Sequence, residues 1–405
     1  MMHSLPKGWK SVKLSELAYK CIAKNRDYKY KLVFTNYAIR GIIPQSEHFD
    51  KNIAIEENID GYFIVNNGDF VYNPRISTTA PCGPIGRNHL GKTGVMSPLY
   101  TVFKLENGNI DDSFIEYYFL SSSWHRYMKS IANYGARHDR MSITDDDFFA
   151  MPIPLPPLPE QKAIAEILTT ADNLIAVKQR LITEKQKQKQ WIMQNLLTGK
   201  IRLPGFKGKW EISKIKNICK IIGGGTPSTK KQEYWNGKTP WISSSDVIEN
   251  NIYQITPTRF ITDSAIKYSA TKICPKNTIL IVSRVGVGKI AVAPFDLCTS
   301  QDFTNLSIIN QNVTYIAFTL FVHLNKAKFK SQGTSIKGLT VSEIKNIAII
   351  LPPLPEQQAI AKVLTTADCE IELLQNELEQ QKLVKKHLMQ QLLTGKTRVK
   401  EFNNG

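Results

Sequence analysis

Residues 155–172 read LPPLPEQKAIAEILTTAD and residues 351–368 read LPPLPEQQAIAKVLTTAD, identical at 15 of 18 positions and offset by 196. The same offset joins MQNLLTGK (193–200) to MQQLLTGK (389–396), which differ at a single position. Neither insertion nor deletion separates the two matched strings, so the length between them is held constant. A repeat on this scale decides the architecture before any motif is read. Proline at 156, 157 and 159 cannot lie inside a helix and marks its start. Gly199 and Gly395, with basic residues around them, mark its end. About 38 residues rising 1.5 Å each make a rod on the order of 57 Å.

Along that rod Ile164, Leu168, Ala171, Ile175, Lys178, Ile182, Lys185, Lys189, Ile192 and Leu196 alternate spacings of four and three. Ile360, Leu364, Ala367, Ile371, Leu374, Leu378, Gln381, Lys385, Leu388 and Leu392 repeat the phase. Each helix thus presents a heptad-like seam that turns polar at its centre. A lone helix cannot bury such a stripe, and its obvious partner is the other copy. The chain order is module, helix, module, helix. Antiparallel packing would place the modules at opposite ends of one rod, whereas a parallel pair would force the chain back along the full rod length.

At 405 residues the chain is too long for one core. An apolar share of 42% and a charged share of 21% are those of ordinary globular protein. The 52 Lys and Arg exceed the 35 Asp and Glu, giving +17 and favouring a polyanionic partner. The six cysteines (21, 82, 219, 274, 298 and 369) show no CxxC spacing and read as reduced and structural. No run of 18 apolar residues is present and the first 14 residues carry no apolar core segment, so a cytoplasmic location is expected.

The repeat sets the expected boundaries: globular modules at 1–154 and 204–350, helices at 155–203 and 351–405. The modules open alike, with Gly8-Trp9-Lys10 and Gly208-Lys209-Trp210. They close alike, with Thr144–Asp147 and Thr340–Glu343 each shaped as a helix cap followed by an acid. The interiors share little. They read as α+β, with strands at 61–65, 70–72, 100–105, 278–282 and 290–293 and helices at 114–128 and 315–329. A conserved frame around divergent interiors implies one kind of task performed on two different targets.

Catalytic signatures fail when tested residue by residue. Asn73-Pro74-Arg75-Ile76 lacks the second proline and the aromatic that would stack a flipped adenine. The segment 286–290 lacks the upstream glycine and the hydroxyl of a phosphate loop and reads as a hairpin turn. Glu343 and Lys345 have no acidic partner upstream for a metal-dependent nuclease. His138 and Asp139 lie between Arg137 and Arg140, where contact with phosphates or base edges suits them better than acid–base chemistry. Candidate DNA-binding residues in module one are Arg75, Arg87, Lys92, Arg137, His138 and Arg140. Those in module two are Ser243, Ser244, Arg284, Lys289, Ser335 and Lys337. No catalytic or metal-ligating set emerges.

Together these residues resemble the specificity subunits of type I restriction-modification enzymes. The resemblance rests on the doubled hinge and LLTGK-ended helix, on Gly68–Arg75 (GDFVYNPR) with Met96-Ser-Pro-Leu99, and on Gly224–Ser228 (GGTPS) leading to Tyr234-Trp235 and Pro240–Ser243 (PWIS). It implies a non-catalytic subunit with two target recognition domains in pseudo-two-fold relation, separated by an antiparallel coiled coil. Each domain would read half of a split sequence in double-stranded DNA. The helices would space the domains and dock two adenine-N6 methyltransferase subunits, and restriction subunits would join them. S-adenosylmethionine, ATP and Mg²⁺ are thereby expected on the partners, with no cofactor on this chain. The alternative from another class is a coiled-coil scaffold carrying two protein-binding modules.

Overall fold

The computed structural model describes residues 5–47, 59–106, 108–132, 139–330 and 338–399. The chain divides into two compact units, residues 1–179 with 376–405 and residues 180–375. Each unit therefore unites a globular module with half of each long helix. The sequence-based boundaries separate module from helix, whereas packing groups each module with the helix halves that share its core.

In the first unit β1 (Lys10–Lys13) leads through a 3₁₀ turn to β2 (Ala18–Lys20), β3 (Phe34–Tyr37) and β4 (Gly41–Pro44). There follow β5 (Phe63–Val65), β6 (Phe70–Tyr72), β7 (Ile85–Arg87), β8 (Gly94–Met96) and β9 (Thr101–Leu105). Helices α1 (Asp112–Leu120), α2 (His125–Ile131) and α3 (Asp145–Phe149) precede β10 (Pro152–Leu155) and the long α4 (Leu158–Leu196). The single helix expected over 114–128 is broken. Ser121 turns its hydroxyl back on the Tyr118 carbonyl at 2.7 Å, and the Trp124 indole donates to the Phe119 carbonyl at 2.9 Å. Serines that bond to their own backbone compete with helix continuation.

The second unit contains β11 (Glu211–Lys214), β12 (Cys219–Gly223), β13 (Thr239–Ile242), β14 (Arg259–Ile261), α5 (Asp263–Tyr268) and β15 (Ile273–Cys274). It continues with β16 (Ile279–Val282), β17 (Ile290–Val292), β18 (Leu297–Thr299), β19 (Phe303–Ile308) and α6 (Val313–Lys330). Then come α7 (Val341–Asn346), β20 (Ala348–Leu351) and α8 (Leu354–Leu392). Both acid-followed caps form: Thr144 Oγ1 accepts from Asp147 N at 3.1 Å and Thr340 Oγ1 from Glu343 N at 3.2 Å.

The divergent interiors conceal one topology. The central antiparallel sheet runs β2-β9-β6-β7 in the first unit and β12-β19-β16-β17 in the second. β1 pairs with β10, and β11 with β20, so the start of each module is hydrogen-bonded to the strand leading into its long helix. A second four-stranded sheet, β14-β13-β18-β15, occurs in the second unit, where the first unit has the pairs β3-β4 and β5-β8. The first core is aromatic, with Phe70 stacked on Phe103 at 5.4 Å, while Tyr315 and Phe318 are buried in the second.

Within the first unit, α4 and α8 segments run antiparallel, because Asp172 meets Lys385 at 2.5 Å while Lys178, further along α4, meets Glu377, further back along α8. The second unit repeats the arrangement with Lys185 on Glu370 and Lys189 on Asp368. Each expected seam residue is buried or half-buried. Ile164, Leu168, Ile360 and Leu364 are fully enclosed, and such burial contributes roughly 1.5–3 kcal/mol per side chain. The polar centre of the seam is satisfied partly by aromatic faces: Lys385 lies 5.3 Å from the Tyr117 ring and Lys189 lies 5.4 Å from the Phe318 ring.

Candidate nucleic-acid interface

Each central sheet has two ends of different character, set by strand register. At one end β9 finishes opposite the start of β2, with Leu105 on Ala18, and β19 finishes opposite the start of β12, with Ile308 on Cys219. This is where the hinge attaches. Gln161 accepts from Asp111 N at 2.8 Å and donates to the Pro156 carbonyl at 2.8 Å. Gln357 accepts from Asn312 N at 3.0 Å and donates to the Pro352 carbonyl at 2.8 Å. Glu160, fully buried, takes both Arg398 guanidinium donors at 3.0 and 2.8 Å and the Trp9 indole N–H at 3.2 Å. Glu356 takes Arg202 at 3.0 and 2.6 Å and Trp210 at 3.0 Å. The Glu-Gln of the repeated PLPEQ is thus a latch. Sequence reasoning missed it, although Arg202 and Arg398 carry the same 196-residue offset as the repeat.

The opposite end gathers loops. Tyr72 pairs with Thr101 and Cys21 N donates to the Val102 carbonyl, so the segments after β2 and β6 leave the first sheet together. Gly223 pairs with Thr304 and Val282 with Phe303, so the segments after β12 and β16 leave the second sheet likewise. Backbone geometry explains the glycines there: a Cβ on Gly224 would overlap the Ser300 carbonyl, and one on Gly225 would stand 2.6 Å from the Thr271 amide.

Several predicted residues meet at these loop ends. The backbones at Arg75 and Arg140 form an isolated antiparallel β-bridge, with Ile76 N donating to the Asp139 carbonyl and Met141 N to the Pro74 carbonyl, each 3.0 Å. The Asp139 carboxylate lies 3.8 Å from both guanidinium groups. In the second unit Arg284, exposed, follows β16 as Arg75 follows β6. Leu339 N donates to the Ser283 carbonyl at 2.8 Å, so the chain after residue 337 returns beside Arg284 just as residues 139–141 return beside Arg75. Ser243 caps the following turn through Asp246, with N and Oγ at 2.7 and 2.9 Å from Oδ2. Lys289 Nζ donates to the Ser244 and Val247 carbonyls at 3.1 and 3.0 Å, tying the β16–β17 hairpin to that turn. Arg137, His138, Ser335 and Lys337 lie outside the described residues.

Two predicted residues stand elsewhere. Phe70 pairs with Arg87 and Asn88 N reaches the Asp69 carbonyl, which puts Arg87 and Lys92 at the start of β6, away from Arg75. Arg87 is 17% exposed, paired with Asp112 and 3.8 Å from Glu116, and it donates to the Gly68 carbonyl at 3.2 Å. Its guanidinium secures α1 to the sheet. Lys92 is exposed on a turn held by Asn88, whose amide donates to the Lys92 carbonyl at 3.0 Å.

Burial pushes the Tyr117 and Tyr253 phenols up to about 12, so at neutral pH both remain protonated partners of the α4 and α8 helices. The Tyr117 hydroxyl lies 2.9 Å from Asp172, and that of Tyr253 lies 2.8 Å from Thr365. Among the described residues, no three His, Cys, Asp or Glu side chains cluster as metal ligands, and no helix is long and apolar enough to cross a membrane.

One frame is used twice, with a common latch at one end of each sheet and unlike cationic loops at the other. A family model described as the type I restriction modification DNA specificity domain matches twice, at residues 6–185 and 207–382. The chain belongs to this family. The MjaVIII type I restriction enzyme specificity subunit of Methanocaldococcus jannaschii is 28% identical over 433 aligned positions, covering 99% of this chain and 96% of its own. The HsdS subunit of Thermoanaerobacter tengcongensis has a similar fold, with a TM-score of 0.53 and 19% identity over 98% of this chain and 99% of its own. A chain from a structure describing assembly and conformational transition of the type I system gives 0.62 at 18% identity, over 98% of this chain and all of its own.

Proposed function

We propose that this chain is the DNA-reading subunit of a type I restriction-modification complex, with each module reading one half of a bipartite target. The observation that carries this reading is the pairing of sameness with difference. Latch, hinge and sheet order repeat, while the loop ends present Arg75 and Arg140 in one unit and Arg284 with the Ser243–Asp246 turn in the other. A symmetric frame suits two copies of one partner, and unlike loop ends suit two unlike half-sites.

The 39-residue helices α4 and α8 would each extend about 58 Å. In this proposal they form one antiparallel coiled coil that spaces the modules and docks two adenine-N6 methyltransferase subunits, with restriction subunits joining the assembly. Half-sites one turn of DNA apart are separated by about 34–36 Å, within the span such a rod bridges. The chain itself performs no chemistry: methyl transfer and DNA cleavage fall to the partners, which would hold S-adenosylmethionine, ATP and Mg²⁺. A pure scaffolding role gains no support from the family match.

The test is the host methylome with and without the gene. Deletion removes one bipartite adenine-methylation motif; an unchanged methylome in a strain that expresses the system refutes the proposal. Purified chain with methyl donor and DNA should show no turnover.

A further inference from the structure

At the loop end of the second unit stands an arginine that no sequence motif singled out. Arg259 lies on β14, directly across from Trp241 on β13. Cross-strand partners share a face of the sheet, and the Arg259 guanidinium lies 4.3 Å from the centroid of the Trp241 ring. Trp241 is itself immobilised: it is buried, its indole donates to the Gly225 carbonyl at 2.9 Å, and Trp235 packs edge-on against it at 5.1 Å.

The guanidinium also lies 3.8 Å from the buried carboxylate of Asp246. That separation gives attraction but is too long for a hydrogen bond, so the acid orients the fork without occupying its donors. Asp246 is held in turn by Ser243 and by the Thr258 hydroxyl at 2.8 Å, and it belongs to the turn that receives Lys289. Despite this anchoring the Arg259 side chain remains 43% exposed. A planar donor fork held in advance over an aromatic ring and beside a buried acid, yet open to solvent, loses little freedom when it binds. Bidentate pairing of arginine with guanine O6 and N7 is the commonest specific contact in the major groove.

We infer that Arg259 reads a guanine in the half-site recognised by the second module, with Trp241 and Asp246 as its positioning residues. This rests on the reading of that module as the recogniser of one half-site. A solvated surface arginine would need neither a buried tryptophan beneath it nor a buried acid beside it.

The experiment takes the motif written by the wild-type gene in the host methylome. It then measures competition binding of the full-length chain, as wild type, Arg259→Ala and Arg259→Lys, to duplexes substituted at each motif position. Both variants should lose roughly 5- to 150-fold of discrimination at one G·C pair of one half-site, leaving the other half unchanged. Arg259→Lys keeps the charge but not the fork, so its salt dependence should match wild type. Replacing the guanine by 7-deazaguanine should weaken the wild type and leave Arg259→Ala unaffected. Wild-type discrimination at every position in Arg259→Lys overturns the inference. So does a uniform loss across all sequences in Arg259→Ala, which marks a phosphate contact. Melting curves identify an unfolded alanine variant, in which case the lysine variant decides. A wild-type motif without two halves refutes the underlying reading, a failure distinct from an intact bipartite motif that ignores Arg259.

Discussion

Replacing Glu160 by alanine tests the latch at the residue where its connections converge. The carboxylate, with no exposed surface, accepts three N–H donors, two from Arg398 and one from Trp9. Arg398 can recover part of its loss by turning to water, since it is 16% exposed. Trp9 is 7% exposed and cannot, so its indole N–H is stranded at about 1–3 kcal/mol. With the lost charge-assisted bonds the total is roughly 3–4 kcal/mol. At Glu356 the same change strands less, because Trp210 is only half-buried and Arg202 is 31% exposed; roughly 2–3 kcal/mol is expected. Trypsin reads the difference: cleavage at Lys396 and Arg398 reports opening of the first joint, and cleavage at Lys200 and Arg202 that of the second. When reclosing is fast, cleavage follows the population of the open form. Glu160→Ala should accelerate the first pair of cuts roughly 150- to 700-fold and leave the second pair within about twofold. Glu356→Ala should show the reverse with a smaller factor. Equal acceleration at both joints, or none at either, would refute the latch.

Further tests address other features. If the loop ends contact phosphates, affinity for DNA should fall with salt at a slope of about 0.9 per contact, and removing the Arg75 and Arg140 charges should flatten that slope; binding indifferent to salt would contradict this. Four residues inserted at matched places in α4 and α8 add about 6 Å and should lengthen the unread gap in the target, as methylome sequencing would detect. Burial pushes the Cys298 thiol from 9.0 to about 11, which lowers its thiolate fraction near pH 8 by about 100-fold, so native alkylation should spare Cys298 and modify exposed Cys369 first. The Thr340 amide and hydroxyl, 2.7 and 2.8 Å from Glu343, hold that carboxyl below its usual 4.5. The cap's contribution is therefore present above pH 4.5 and lost as pH falls through the depressed value. Glu343→Gln should abolish that dependence in amide exchange of α7. Gly224→Ala should destabilise the second unit in denaturant melts, because the new methyl meets the backbone of Ser300.

The helix ends, the apolar stripe on each long helix and both acid-followed caps were legible in the chain because each depends on residues within a few turns of one another, and the repeat was legible because two strings match at one constant offset. Proline and glycine punctuate by backbone restriction, and a stripe at alternating fours and threes is a property of a single helix. Even so, the serine run at 121–123 broke a helix that apolar periodicity carried through to 128, since hydroxyl competition for carbonyls leaves no mark on a hydropathy pattern.

What the tertiary structure decided was which distant residues meet. Arg75 joins Arg140, and Arg259 reaches Trp241 and Asp246, only because strand register brings together segments from a dozen to more than sixty positions apart. Arg87, equally basic and close in sequence to Arg75, is carried by the same register to the far end of the sheet and spent on α1. The Glu-Gln of the hinge could be counted in the sequence as a repeat. It became a latch only when folding brought Arg398 across 238 positions to Glu160, an encounter that no local pattern encodes.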